Sequence, residues 1–436
     1  MGVLIKRGGG WGAIKINAMK KRVVITGLGP VSPVGIGKEE FWDSLINGRS
    51  GITEITRFDT SAYPTKIAGE VKDFQPLDFM TKKTAASAAR FSQLAVAAAR
   101  LAFDDAGIKL NGDIDPERVG ACLGSCTQGG GDILEKHIPL FYQKGLRTIP
   151  PRACVEFTTH IATSYVPIEL SIKGPNTSIS SGCSTAIDAV NWSYTQIIEG
   201  NADIIITGAA DAPIFPFGVG MFCAVRVLSR RNESPTEASR PFDARRDGLV
   251  LSEAGAAVVL EELNHALERG ATIYGEILGF ASVAEAKKTV AVEMSGETIA
   301  RAIAAALRSA NLPISAIDYI NAHGNSMVDY DISETNGFKL ALGDHAYRIP
   351  ISSVKSMMGQ SLAPASGLQM ISSCLTLRDD IIPPTINYEY PDPKCDLDYV
   401  PNTARRNRVD NILMNSHSVG GSHSVIIIGR YRDEKV

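Results

Sequence analysis

Residues Gly174–Val190 read GPNTSISSGCSTAIDAV, and the way this stretch turns decides the fold. Thr177–Ser180 is a short β-like run. Ser181 and Gly182 break it, and the small residues from Ser184 onward start a helix. Cys183 stands at the junction, the strand–turn–helix elbow that lifts a nucleophile out of a sheet. Gly182 permits the tight backbone such a turn needs. A thiol at a helix N-terminus also meets free N–H groups and the positive end of the helix dipole, which favour the thiolate. The competing reading is that Cys183 is a small core residue, as buried cysteines usually are. The segment by itself leaves both readings open.

Outward from this elbow, short β-branched runs alternate with alanine-rich helical stretches. Arg22–Thr26 (RVVIT) is near-continuous in apolar residues, the pattern of a strand buried on both faces. Phe91–Ala102 (FSQLAVAAARLA) repeats small and apolar residues at helical spacing. Val119–Leu123, Ile204–Thr207, Ala254–Leu260 and Gly275–Gly279 read as further strands. The later part repeats the logic. Glu297–Ala310 and Met370–Arg378 are helical. Ile317–Ala322 is a strand ending on a polar cluster, and Ile351–Ser353 is another that runs toward Lys355. Ile412–Asn415 and Val425–Gly429 form a closing strand pair. This is an α/β pattern, in which sites gather at the carboxyl ends of strands. It predicts two similar halves, 19–272 and 273–436, preceded by a disordered tail over 1–18. Gly27-Leu28-Gly29 reads as a strand-to-loop turn rather than a dinucleotide fingerprint, because Ser32 holds the third glycine position and Pro30 interrupts.

Composition narrows the function classes. With 44% hydrophobic and 21% charged residues, the 436-residue chain has the make-up of a folded protein with a sizeable core. A net charge of −3, with Lys and Arg scattered, gives no footprint for nucleic acid. No stretch has the length of a membrane span. The opening MGVLIKRGGGWGAIKINAM is basic and glycine-broken, a poor secretory signal; a basic arm touching a membrane is the rival reading. The 7 cysteines are odd in number and form no C-x-x-C pair, so reduced thiols in the cytoplasm are expected. No histidine spacing matches a metal site, and no cofactor motif is present.

From Lys20 nearly to its end the chain resembles the elongating β-ketoacyl-[acyl carrier protein] synthases. The likeness is carried by Arg22–Gly35 (RVVITGLGPVSPVG), Phe58–Phe74 (FDTSAYPTKIAGEVKDF), Gly218–Arg231 (GVGMFCAVRVLSRR), Ser239–Ala254 (SRPFDARRDGLVLSEA), Asn321–Gly324 (NAHG), Ser353–Gly359 (SVKSMMG) and Pro383–Asn387 (PPTIN), together with the elbow. The resemblance implies a thiolase-like fold: two halves, each a mixed five-stranded sheet with helices, layered α-β-α-β-α. It implies that Cys183 is the acyl-carrying nucleophile. It also implies that His323 hydrogen-bonds the carbonyl of a carrier-bound extender unit and supports decarboxylation. Lys355 matches an electrostatic organiser paired with a carboxylate such as Glu334. Backbone N–H groups of Cys183 and Val419 match an oxyanion hole.

The departures from the family pattern are as informative. Gln360 follows Met358-Gly359 where the family has its second catalytic histidine. An amide donates a hydrogen bond but carries no proton near neutral pH, which leaves the helix dipole to lower the Cys183 pKa and predicts slowed or altered chemistry. The closing loop, Asn415–Ser424 (NSHSVGGSHS), has Val419 in place of a gating phenylalanine, so a more open pocket is expected. His417 and His423 are additions, and His417 is a candidate to approach the site in place of the lost imidazole. Thr127 and Gln128, with Phe222, are expected to line the acyl pocket, and polar groups there suit a ketone-bearing chain. The family's Asp-Ala-x-His run after Gly279 is missing. Arg226, Arg230 and Arg231, with Lys82 and Lys83, match the surface that docks an acyl carrier protein, although Thr84, Ala85 and Ala86 lack the expected charges.

The expected activity is therefore a decarboxylative Claisen condensation of acyl-Cys183 with a malonyl-carrier unit, in polyketide or specialised fatty acid synthesis. Two other readings remain open at this point. One is a cysteine acyltransferase or thioester hydrolase that makes no carbon–carbon bond. The other is a non-catalytic partner subunit like a chain-length factor, against which the retained Cys183 speaks. The resemblance implies a homodimer, or a heterodimer with a homologue.

Overall fold

A computed structural model describes residues 3–7, 10–14, 21–110, 112, 114–287, 289 and 291–433. Within the first segment, the backbone of Val3–Arg7 pairs antiparallel with Gly10–Ile14; the rest of the expected tail over 1–18 lies outside the described residues.

The apolar runs form one eleven-stranded sheet. Its path uses β1 (Val23–Ser32), β2 (Val119–Gly124), β3 (Asn176–Thr177), β4 (Ile204–Asp211), β5 (Ala254–Glu262), β6 (Gly275–Ala284), β7 (Tyr319–Asn321), β8 (Ile351–Ser352), β9 (Asn411–Ser418) and β10 (Ser422–Gly429). The order is β8-β7-β9-β10-β6-β1-β5-β4-β2-β3, and Gly35–Ile36 folds back on β1. The first half of the chain thus supplies β1 to β5, and the second supplies β6 to β10. The two sets join edge to edge where Gly275 and Glu276 pair with Ile25 and Val24.

Helices lie on both sides of each set. α1 (Arg90–Asp105) covers β1, β5 and β4. α2 (Thr185–Ile198) and α6 (Ala365–Asp379) lie between the two sets and touch each other. α3 (Pro216–Val225) stands beside the site. α4 (Glu297–Ala310) and α5 (Val328–Leu342) cover the second set, with α4 against β6 and β10. α6 is buried from Ala365 to Leu377, so Ser366, Gln369, Ser372 and Ser373 bond other chain segments instead of water.

The turn expected at Gly27-Leu28-Gly29 is strand instead. β1 continues to Ser32, every residue buried. The glycines are there because α1 lies directly on the strand: a Cβ at Gly27 would sit 2.1 Å from the Ala102 carbonyl, and one at Gly29 2.0 Å from that of Ala98. The alanines of α1 answer those glycines. Among the described residues no helix is long and apolar enough to cross a membrane.

Candidate active site

β3 is shorter than the run expected at Thr177–Ser180, but the elbow that follows is built as its sequence requires. Gly182–Ser184 makes one tight turn into α2. Gly182 has φ +65°, and a Cβ there would lie 2.9 Å from both Cβ and Oγ of Ser418. Hydroxyls then lock the turn. Ser366 Oγ and Ser416 Oγ donate to the Cys183 carbonyl at 3.0 and 2.9 Å. The Ser184 N–H donates to Ser418 Oγ at 3.0 Å, and Ser418 Oγ donates to the Ser181 carbonyl at 2.6 Å. Residues from α6 and β9, 183 to 237 positions away in the chain, therefore fix the backbone of the nucleophile.

Cys183 opens on a cavity of about 330 Å³. Gln360, Phe222, His417 and Val419 share its wall, as do Met221, Val225, Leu249 and Leu362. Gln360 Nε2 donates to Cys183 Sγ at 3.1 Å. Burial pushes the thiol up to about 11, against the opposing pull of the Lys355 charge and the Gln360 hydrogen bond. This reverses the expectation of a thiol lowered by its helix end: desolvation of the thiolate outweighs the favourable groups, and Cys183 rests as S–H.

His323 follows β7 and is 1% exposed. Its Nδ1 accepts the His417 main-chain N–H at 3.3 Å, so the ring proton sits on Nε2, which has no partner among the described residues. Burial, then the charge of Lys355, holds His323 well below the usual histidine range. It is a neutral donor with a free N–H.

Lys355 and Glu334 do not form the contact pair expected. They grip the His323 backbone from two sides. Lys355 Nζ donates to the His323 carbonyl at 2.7 Å and to Gln369 Oε1 at 2.8 Å. The Glu334 carboxylate accepts the N–H groups of His323 and Gly324 at 2.7 and 2.8 Å. Burial lowers Lys355 to about 8, partly offset by the Glu334 charge.

Other expected site residues lie apart. Thr127 does not line the Cys183 cavity; its hydroxyl donates to the buried carboxylate of Asp211 at 2.8 Å, alongside Ser125 Oγ at 2.7 Å. Gln128 lines a different cleft, with Arg57, Arg90 and Glu135. The wall around Cys183 is instead apolar, which removes the physical argument for a ketone-bearing chain. Arg226 and Arg230 are exposed, with Arg226 at the end of α3 near the cavity, whereas Arg231 is half-buried and donates to the Arg245 carbonyl at 3.0 Å. Lys82 and Lys83 are exposed. Sequence reasoning missed Ser366, Ser416, Ser418 and Gln369. Only the hydroxyl-rich tract of the closing loop hinted at the middle two.

The sequence profile of the β-ketoacyl synthase N-terminal domain matches residues 20–266, and that of the C-terminal domain matches 274–389. A 3-oxoacyl-[acyl-carrier-protein] synthase 2 from Coxiella burnetii is 41% identical over 414 residues, covering 95% of this chain and all (100%) of the relative. The tetracenomycin polyketide synthase ketoacyl synthase alpha subunit of Streptomyces glaucescens is 41% identical over 426 residues, 95% of this chain and 99% of its own. Among solved structures, the ishigamide ketosynthase/chain length factor superposes with a TM-score of 0.88 at 33% identity, covering 95% of this chain and 100% of that one. A type II polyketide acyl-carrier protein complex with its ketosynthase bound to a hexaketide gives 0.87 at 34%, with coverage of 95% and 100%.

Proposed function

The chain belongs to the β-ketoacyl synthase family, and from that premise we propose that it joins an acyl group held on Cys183 to a malonyl unit held on an acyl carrier protein, with loss of CO₂. The observation that carries the reading is the thiol itself, set on an elbow at an apolar cavity, 3.1 Å from an amide donor.

The proposed chemistry has two stages. The Cys183 thiol attacks the carrier thioester, and its proton ends on the departing carrier thiol. Backbone N–H groups of Cys183 and Val419 are the proposed donors to the oxyanion. The malonyl-carrier then enters, and His323 Nε2–H and the Gln360 amide are the proposed donors to its thioester carbonyl. Decarboxylation makes an enolate there, and low local polarity strengthens both hydrogen bonds. The enolate carbon attacks acyl-Cys183, the new C–C bond forms, and the C–S bond breaks.

The apolar walls fit an apolar acyl chain, in fatty acid or polyketide synthesis. The exposed Arg226, Arg230, Lys82 and Lys83 suit a partner with an acidic face, and one similar ketosynthase was solved with an acyl-carrier protein. Exposed apolar residues at Leu140, Phe141, Tyr142 and Leu146 support pairing with a second copy or a homologue. The 7 unpaired cysteines support a cytoplasmic setting. One observation favours a second reading: Gln360 cannot shuttle a proton, which suits acyl transfer without condensation.

Mass spectrometry with acyl-carrier and malonyl-carrier substrates separates these. An acyl adduct on Cys183 with a β-keto product supports condensation, and an adduct without that product supports simple transfer. No adduct would sink both.

A further inference from the structure

Asp211 ends β4 with a fully buried carboxylate that takes no part in the steps above. Its partners are hydrogen-bond donors. The N–H groups of Cys126 and Thr127 donate to Oδ1 at 2.9 and 2.8 Å, as do Ser125 Oγ at 2.7 Å and Thr127 Oγ1 at 2.8 Å. The Ala363 N–H donates to Oδ2 at 2.9 Å. Main-chain N–H groups, which can only donate, thus engage both oxygens, and an ionised carboxylate is the form that satisfies them. Burial pushes this carboxyl up, and the same hydrogen bonds oppose the rise. Removing the carboxylate would leave buried donors unmet.

These donors come from two segments that meet at the nucleophile. Ser125–Thr127 follows β2, and the Ser125 carbonyl accepts Ser180 Oγ at 2.9 Å, just before the Cys183 elbow. Ala363 follows Gln360 by way of Leu362, which lines the Cys183 cavity. Both segments turn under strain. Leu362 has φ +64° and Gln128 has φ +50°, left-handed values that such side chains hold only where their surroundings fix them. The Gln128 N–H donates to Ser125 Oγ at 2.9 Å. Gln360 is anchored on its other side: its N–H donates to the Val250 carbonyl at 2.8 Å, and its carbonyl accepts the Ser252 N–H at 3.0 Å. One carboxylate therefore ties the segment that leads to the thiol to the segment that carries its amide donor.

We propose that Asp211 is a positioning residue that sets the spacing between the Cys183 thiol and the Gln360 amide, which lie 3.1 Å apart. The inference rests on the reading of Cys183 as the acyl-carrying thiol. Attack on a carrier thioester needs the thiolate, and an N–H···S hydrogen bond favours that form. Asp211 acts on it in two opposed ways. Its hydrogen bonds hold the segment that carries the amide. Its charge adds to burial in raising the thiol. Asp211→Asn removes the charge and sets an NH₂ group against N–H donors. A carboxylate that acted by charge alone would make the variant acylate faster. Positioning makes it slower, and only while Gln360 is there to be positioned.

The test is a double-mutant cycle on the full chain, with Asp211→Asn, Gln360→Ala and the two together. Each protein is acylated by an acyl-carrier in a single turnover, and the Cys183 peptide is followed by mass spectrometry. Each single variant should slow acylation about tenfold, and the double variant should be no slower than Gln360→Ala. A further tenfold loss in the double variant would mark Asp211 as merely structural and overturn the proposal. So would an Asp211→Asn protein that acylates at the original rate or faster. Gln360→Ala at the original rate overturns it too, because Asp211 then has nothing to act through. If Asp211→Asn does not fold, Thr127→Val takes its place in the cycle. It keeps the charge and removes one hydroxyl donor, with an expected slowing of about threefold that vanishes beside Gln360→Ala; no slowing, or slowing in both backgrounds, overturns the proposal. An unsubstituted protein that forms no acyl adduct would instead overturn the acyl-Cys183 reading, and the same cycle with iodoacetamide, which needs no carrier, then decides the role of Asp211.

Discussion

Replacing Gln360 by histidine puts an imidazole where the amide now lies 3.1 Å from the thiol. With the thiol pushed up to about 11, roughly one Cys183 in ten thousand is thiolate at pH 7, four units lower. A paired imidazole that lowers the thiol by about two units raises that fraction about a hundredfold. A less basic thiolate is also a weaker nucleophile, and about eightfold of the gain is lost, leaving a net increase of roughly tenfold. The assay is the rate of iodoacetamide alkylation at the Cys183 peptide from pH 6 to 10, followed by mass spectrometry so that exposed Cys154 is counted separately. The original chain should gain about tenfold per pH unit without a plateau, as a thiol far below its pKa must. Gln360→His should level off earlier and condense at a changed rate. A plateau near pH 7 in the original chain would refute the claim that burial dominates the thiol. Identical profiles and identical condensation and malonyl decarboxylation in both proteins would refute the role given to Gln360.

Other perturbations have equally definite outcomes. Gly182→Ala forces a side chain into a left-handed position against Ser418, and should cost about 1–3 kcal/mol in denaturant unfolding while abolishing acyl-Cys183 formation. Lys355→Met removes the clamp on the His323 carbonyl and leaves that carbonyl and Gln369 Oε1 without their ammonium donor. It should destabilise the fold by about 2–5 kcal/mol, and the Cys183 alkylation profile should move to higher pH, since the lost charge favoured the thiolate. Val419→Phe adds a ring at an exposed lip of the cavity, and should slow acylation by bulky acyl-carriers roughly tenfold relative to short ones, read as a ratio of kcat/KM values.

The elbow around Cys183 and the position of His323 were legible because their signals are local: a glycine before the cysteine, a helix after it, a histidine at the end of a strand. The environment that sets their chemistry was not. The thiol is raised by segments distant in sequence, and Lys355 meets the His323 carbonyl and Gln369 rather than Glu334 because β7, β8 and α6 converge only in three dimensions. Gly27-Leu28-Gly29 looked like a turn because nothing nearby announces that α1 will lie on it. Thr127 looked like a pocket residue because its partner, Asp211, is at the end of another strand. The pairing of His417 with His423 was readable in principle. Ser-His-Ser on either side of Val-Gly-Gly is a hairpin whose register sets the two rings opposite each other.

The most direct test of the account acylates Cys183 first, removes the acyl-carrier, and then adds malonyl-carrier in a single turnover followed by intact-protein mass spectrometry and product analysis. The account predicts that the acyl mass leaves Cys183 as a β-keto product forms on the carrier, with one CO₂ released for each adduct lost. Loss of the adduct as free acid or as the original acyl-carrier, with no β-keto product, would contradict it.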